Sequence, residues 1–210
     1  MFRTQIYIIL TTCFTLVASN PVYAIENMSD SHSDNYFQST LIIDEIPGRL
    51  NGDNNFPPDR LVHYASNGDI IFETNMLKIP YDAVRLDDIS YWVSLIRENA
   101  LWRISTDSKT LAVINVGGYP CAFEVLANGN LLVAGWDDDV PGFVKEFTPE
   151  RKIVWQILDL KWPWKAQRLK NGNTLIADGG NHRVIELDQE KNIVWQKIGF
   201  GYPAKAYRKE

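Results

Sequence analysis

The sequence predicts an all-β fold made of four tandem repeats, and two observations lead to this prediction. Prolines recur about every 40 residues, at Pro80, Pro120, Pro163 and Pro203. Residues 126–134 match residues 169–177 in type, and residues 144–156 match residues 184–196. Each repeat contains four short strand patterns, and four antiparallel strands in a unit of this length are typical of a propeller blade. We therefore predict a small β-propeller of four blades, each with four antiparallel strands.

The elements follow in the same order in each repeat. The first strand begins with the pattern Pro-x-x-Ala-x-Arg-Leu. An Asn-Gly pair, as at Asn128 and Gly129, predicts a two-residue hairpin in which both turn positions have positive φ. A variable loop leads to the third strand, a polar turn such as residues 148–151 follows, and the fourth strand carries Trp155 or Trp195.

The two ends of the chain predict how the ring closes. Residues 39–44, 60–64 and 70–73 align with strands two, three and four, so the N-terminal blade lacks a first strand. Residues 203–208 are a first strand without a blade. Because unpaired sheet edges are unfavourable, we expect the C-terminal strand to pair with the N-terminal blade. A strand-exchanged dimer and a fragment of a larger propeller are the alternatives to this closed monomer.

The N-terminus has the pattern of a secretory signal over residues 1–24. Arg3 precedes an apolar run over residues 6–17, and small residues lead to a cleavage site near Ala24. We expect an exported protein, periplasmic or secreted, with a flexible leader over residues 25–36. The propeller domain then covers residues 37–210, with blades over 37–79 plus 203–210, 80–119, 120–162 and 163–202.

Composition restricts the partners. The formal net charge is −5, which argues against nucleic acid or an anionic membrane surface as the main partner. A second long apolar run is lacking, so we predict no membrane span. Removal of Cys13 with the signal leaves Cys121 as the single cysteine, which excludes an internal disulfide.

Residues 171–196, from Asn-Gly-Asn-Thr-Leu to Ile-Val-Trp-Gln, resemble blades of the arylsulfotransferase-type propellers. They are similar, more loosely, to NHL and quinoprotein repeats. The resemblance implies the blade architecture. The sulfotransferases use a histidine that takes up the sulfuryl group, and a histidine stands near the start of the first strand of their repeats. The resemblance therefore implies a histidine at that position here. The corresponding segments here, residues 80–83, 120–123, 163–166 and 203–206, contain no histidine. We therefore carry over the architecture and not the catalysis.

Aromatic residues cluster where the fourth strand of one repeat connects to the first strand of the next. We predict that these side chains contact a ligand or a partner protein, because aromatic rings contribute large contact areas at low entropic cost. The alternative is that they plug the mouth of a narrow channel. The candidate residues are Tyr81, Tyr119, Trp162, Trp164, Phe200 and Tyr202. The long loop over residues 45–58 is a further candidate partner contact.

Charged residues offer weaker alternatives. Lys165 and the repeated arginines, Arg85, Arg168 and Arg208, suit an anion site, but they are also placed to pair with carboxylates such as Glu146 and Glu186. Catalysis by His182 with Arg168 or Lys165 is the enzymatic alternative. Metal binding by Asp137, Asp138 and Asp139 is the alternative to a solvated acidic loop.

The sequence thus favours a non-catalytic, exported binding or scaffold module without a cofactor. Its loop-rich aromatic face would contact a partner protein or a small ligand. The alternative is an arylsulfotransferase-like or related propeller enzyme acting on a small anionic or aromatic substrate. A quinone-type cofactor between tryptophans is a third hypothesis.

Overall fold

The computed structural model describes residues 6–10, 23–25, 39–44, 59–139 and 141–209. Most of the predicted leader and the whole loop over residues 45–58 lie outside these ranges. No helix among the described residues is long and apolar enough to cross a membrane. The strands, in chain order, are β1 Ile6–Leu10, β2 Tyr23–Ile25, β3 Thr40–Asp44, β4 Arg60–Tyr64, β5 Ile70–Thr74, β6 Pro80–Asp87, β7 Ser90–Leu95, β8 Ala100–Ser105, β9 Thr110–Asn115, β10 Tyr119–Val125, β11 Leu131–Trp136, β12 Gly142–Phe147, β13 Ile153–Leu160, β14 Pro163–Arg168, β15 Thr174–Asp178, β16 Arg183–Leu187, β17 Ile193–Ile198 and β18 Pro203–Arg208.

The chain divides into two compact units, which we call the N-terminal and C-terminal units. The N-terminal unit contains two four-stranded antiparallel sheets, with strand orders β2-β3-β4-β5 and β6-β7-β8-β9. The C-terminal unit contains the sheets β10-β11-β12-β13 and β14-β15-β16-β17, together with the two-stranded sheet β1-β18. The predicted all-β class and its four sheets of four antiparallel strands are confirmed.

Each unit has its own apolar core, made by alternate residues of its inner strands. In the N-terminal unit, Leu41, Leu61, Ala83 and Val93 belong to one buried cluster. In the C-terminal unit, a cluster that includes Leu132, Val144, Ile176 and Ile185 lies between the two four-stranded sheets. These residues come from the first three strands of each repeat, whereas the last strands expose Val154 and Val194.

The hairpins after β10 and β14 occur at the predicted Asn-Gly pairs, but their turn type differs from the prediction. Leu126 pairs with Asn130, so the loop has three residues, and only Gly129 has a positive φ, +82°. The Asn128 side chain accepts a hydrogen bond from the Asn130 amide at 3.0 Å. This local bond stabilises Asn128 with a negative φ. Gly129 is then the single residue of the three-residue loop in the left-handed conformation.

The expected pairing of the C-terminal strand with the N-terminal blade is not found. Strand β18 pairs with β1, with Ala206 opposite Ile8. Strand β2 instead occupies the edge of β3, with Ala24 opposite Ile42. The reason is that the N-terminal segment itself provides backbone partners for both edges. Strand β1 and most of β2 lie within residues 1–24, the segment with the pattern of a secretory signal.

Candidate functional site

Five aromatic side chains of the C-terminal unit form a continuous group, which we call the aromatic cluster. Its members are Tyr119, Trp136, Trp162, Trp164 and Tyr202. Trp136 is central, with its ring centroid 5.6 Å from Tyr119, 6.1 Å from Trp162 and 6.2 Å from Trp164. Trp162 stacks on Tyr202 at 5.8 Å with an interplanar angle of 26°. The structure therefore brings together four of the predicted aromatic residues and adds Trp136.

The cluster is held in place by the turn that precedes β14 and by the 3₁₀ turn Gly179–Asn181. Trp162 has a φ of +49°, and its carbonyl accepts a hydrogen bond from the Gly179 amide at 3.2 Å. A Cβ atom on Gly179 would lie 2.7 Å from the Trp164 ring, so this position requires glycine. The buried carboxylate of Asp178 accepts a hydrogen bond from the Lys161 amide at 2.9 Å. The backbone beneath the indoles is thus fixed.

An open cavity of about 330 Å³ lies beside the cluster. It is lined by Trp136 and Trp162, by the acidic run Asp137, Asp138 and Asp139, and by Lys161 among others. The Lys161 ammonium lies 5.6 Å from the Trp162 ring centroid. The negative charge of Asp137 is the main cause of a raised pKa at the Tyr119 phenol. The predicted aromatic and acidic residues therefore meet at one place.

His182 borders the same cluster. Its ring makes an edge-on contact with Tyr202 at 5.0 Å, and its Nδ1 atom is hydrogen-bonded to the Gly201 carbonyl. The residue is exposed and has a φ of +55° at the end of the 3₁₀ turn. Among the described contacts, none joins His182 to Arg168 or Lys165.

The two other aromatic candidates lie elsewhere. Phe200 packs against a buried apolar group that includes Leu175 and Ala206, which gives it a place in the core of the C-terminal unit. Tyr81 is on β6 in the N-terminal unit, with 38% of its surface exposed.

The sequence analysis did not predict Trp136, because it considered only aromatic residues in the connections from the fourth strand of one repeat to the first strand of the following repeat. Trp136 is the last residue of β11 and pairs with Tyr119 at the start of β10. The predicted hairpin of strands one and two would have indicated this position, because it places the end of the second strand beside the start of the first.

The repeated arginines of the C-terminal unit pair with glutamates, as the structural alternative predicted. Arg168 donates to Glu146 at 2.8 Å, and its guanidinium lies 5.3 Å from the Trp155 ring. Arg208 is hydrogen-bonded to Glu186 and lies 5.3 Å from the Trp195 ring. These contacts are equivalent in two successive repeats.

The remaining candidates have structural partners or lack a site. Lys165 donates to the Phe123 carbonyl at 3.0 Å. Within the part of the chain that the structure describes, no group of three His, Cys, Asp or Glu side chains is arranged to hold a metal ion. Cys121 is buried, and burial raises the pKa of its thiol to about 12.

Comparison with known proteins identifies the fold. No protein-family model and no curated protein sequence matches the chain. A solved structure of a protein of unknown function from Bacteroides caccae is similar, with a TM-score of 0.61, 18% identity, and 80% of this chain and 67% of that chain covered. Virginiamycin B lyase from Staphylococcus aureus is similar with a TM-score of 0.54 and 12% identity over 76% of this chain. The WD40 β-propeller domain of Doa1 is similar with a TM-score of 0.51 and 12% identity over 66% of this chain.

These likenesses show a β-propeller fold and, at such low identity, nothing about activity. The chain spans 52% of the virginiamycin B lyase chain and 43% of the Doa1 chain that it matches.

Proposed function

We propose that this protein is an exported binding module that uses its aromatic cluster to contact a small ligand or a partner protein. The observation that carries the proposal is the exposure of the cluster. Trp162 and Tyr202 are 37% and 47% exposed, although each is stacked on the other. Large aromatic rings kept at the surface on a fixed backbone are typical of contact residues in binding sites.

The alternative, that the rings only fill space, agrees less well with the neighbouring cavity. A cluster that served packing alone would bury its ring faces, as Phe123 and Phe143 do in the same unit. Here the two indoles that line the cavity have acidic neighbours and open to solvent. The cavity combines aromatic rings with charged groups, and polar groups placed beside apolar surface give small-ligand sites their specificity.

Saturation-transfer NMR with a library of small polar and aromatic fragments tests this proposal. We expect fragments that bind the wild-type protein to lose their signal with the double variant Trp162→Ala/Tyr202→Ala. Tyr207→Ala removes a comparably exposed aromatic ring from β18, outside the cluster, and should keep the signals. Equal signals for wild type and the double variant would overturn the proposal.

The proposal of export rests on the signal pattern of residues 1–24. It predicts that the protein recovered from outside the cytoplasm begins at Ile25. N-terminal sequencing checks this, and an intact Met1 in the extracytoplasmic fraction would contradict it.

A second candidate is a propeller enzyme of the arylsulfotransferase-like type. The observation that favours it is the exposed imidazole of His182 at the edge of the aromatic cluster, where an aromatic substrate would stack. An assay of sulfuryl transfer from an aryl sulfate to a phenol tests it. Activity that His182→Ala abolishes would support this candidate over the binding module.

A further inference from the structure

The cavity beside Trp162 combines aromatic walls with an excess of negative charge. We propose that it binds a small organic cation, with a quaternary ammonium group as the preferred chemistry. The proposal deepens the binding function argued above and rests on it. Cationic groups are attracted to the faces of tryptophan rings, and the attraction increases when carboxylates stand nearby.

The charges around the cavity favour a cation over an anion. Asp137, Asp138 and Asp139 line it, and Lys161 is the only cationic residue among the described lining residues. In the described part of the chain, no lysine or arginine forms a salt bridge with these three carboxylates. An incoming anion would meet three like charges, whereas an incoming cation would gain carboxylates that no ion pair already neutralises.

Lys161 indicates that a cation is favourable at this ring. Its ammonium lies 5.6 Å from the centroid of Trp162, within the range of a cation–π contact, and the side chain is exposed. The position of Lys161 is fixed through its backbone, because its carbonyl accepts a hydrogen bond from Gly180 at 2.7 Å. The flexible ammonium can therefore move away without disturbing the turn. It acts as an internal competitor that a ligand cation displaces.

The cavity is also of a suitable size. A volume of about 330 Å³ is at the lower end of the range for small-ligand sites, so it suits a compact group better than an extended one. A quaternary ammonium is compact, carries no hydrogen-bond donor of its own, and loses little hydration on contact with indole. Aromatic walls and nearby carboxylates supply both interactions that such a group uses.

Choline and its neutral carbon isostere, 3,3-dimethylbutan-1-ol, provide a direct test. We would titrate each into the mature protein at constant ionic strength and follow tryptophan fluorescence. The proposal predicts that choline binds about tenfold more tightly than the isostere. Added salt should weaken choline binding and leave binding of the isostere unchanged.

Two variants distinguish the charge contributions. Lys161→Met keeps the aliphatic stem and removes the competing ammonium, so it should tighten choline binding severalfold. Asp138→Asn/Asp139→Asn should weaken it severalfold. Glu190→Gln changes the charge of an exposed residue on the turn between β16 and β17, and should have little effect.

Equal affinity for choline and the isostere, or weaker choline binding with Lys161→Met, would overturn the cation proposal. So would the absence of choline binding to a protein that still binds fragments at the aromatic cluster. In each of these cases the binding module itself stands, because fragment binding that depends on Trp162 and Tyr202 is a separate result. Loss of that dependence overturns the proposed function instead.

Discussion

Glu146 and Glu186 occupy equivalent positions in two successive sheets, each opposite a tryptophan in the register. Both are buried, and each accepts a hydrogen bond from the asparagine that follows the hairpin glycine, at 2.6 Å from Asn130 and 2.7 Å from Asn173. Each glutamate also forms an ion pair with an arginine on the first strand of the following repeat, Glu146 with Arg168 and Glu186 with Arg208. Burial alone raises the pKa of Glu186, but hydrogen bonds from Asn173 and Arg208 outweigh it, and the pKa lies below its ordinary value. Glu186 therefore remains charged at neutral pH, and both glutamates anchor the first strand of the following repeat through its arginine.

We predict that Arg208→Ala lowers the free energy of unfolding by about 2–3 kcal/mol at neutral pH, because it leaves a buried carboxylate without its charged partner. Chemical denaturation measures the loss. Arg151→Ala removes an exposed arginine from a turn and should cost less than about 0.5 kcal/mol. If both variants have the same stability, the contact with Glu186 is not stabilising.

His63 holds the corresponding position in the N-terminal unit, opposite Leu41 and Phe72. It is buried, its Nδ1 atom is 2.8 Å from the Tyr91 hydroxyl, and Tyr91 stacks on Phe72 at 4.6 Å. Burial lowers the pKa of His63, and the positive charge of Arg85 lowers it further. The first repeat thus replaces a charged glutamate by a neutral imidazole at the same place.

This replacement predicts a pH dependence of stability. The unfolded chain takes up a proton on His63 near its ordinary pKa of about 6.5, whereas the folded chain resists protonation until lower pH. The contribution of the neutral ring is therefore complete above about pH 6.5 and is lost as the pH falls through the lower folded pKa. Denaturation midpoints for wild type and His63→Gln between pH 5 and 8 measure this. The wild type should lose more stability on acidification, and parallel curves would contradict the assignment.

At the scale of elements, β18 is attached to the C-terminal unit by more than backbone pairing. Ala206 is buried in an apolar group with Leu169 and Val184. The Arg208 amide donates to the Gln167 side chain at 2.8 Å, and that side chain donates back to the Arg208 carbonyl at 3.1 Å. The strand therefore provides apolar, polar and ionic contacts to the preceding sheet.

Deletion of residues 203–210 should therefore destabilise the C-terminal unit by at least about 3 kcal/mol, since it removes the partner of Glu186 and opens the apolar group. Deletion of residues 209–210 alone is the matched control and should have little effect. Thermal unfolding by circular dichroism compares the three proteins. A long deletion that melts at the wild-type temperature would show that β18 is dispensable.

Sequence patterns predicted the elements well where a repeat carries strong local signals. The Asn-Gly pairs located the hairpins because glycine adopts a positive φ without steric cost, as at Gly172 with +87°. They did not give the turn type, because the side chain of Asn171 makes its own bond to the Asn173 amide. The pairing of β18 was also missed, because the apolar N-terminal segment that provides β1 was predicted to be a signal and not a strand.

For the whole molecule, periodicity predicted four sheets and the comparisons show the propeller fold. The candidate site was predicted in part, because aromatic residues in equivalent connections were expected to lie together. Trp136 was missed although the predicted hairpin of strands one and two places it beside Tyr119, and the cavity was not predictable because it depends on how the loops between strands fold. The tryptophans of the C-terminal unit have two different roles. Trp155 and Trp195 pack on arginines that are ion-paired with glutamates. Trp136, Trp162 and Trp164 belong to the aromatic cluster.

The indole N–H resonances of the protein test this separation most directly, because each tryptophan gives one signal in a ¹H–¹⁵N NMR spectrum. On addition of a fragment that binds, the account predicts shifts at Trp136, Trp162 and Trp164, with Trp155 and Trp195 unchanged as internal controls. Shifts confined to Trp155 and Trp195, or spread equally over all the indoles, would contradict the claim that the aromatic cluster is the binding surface.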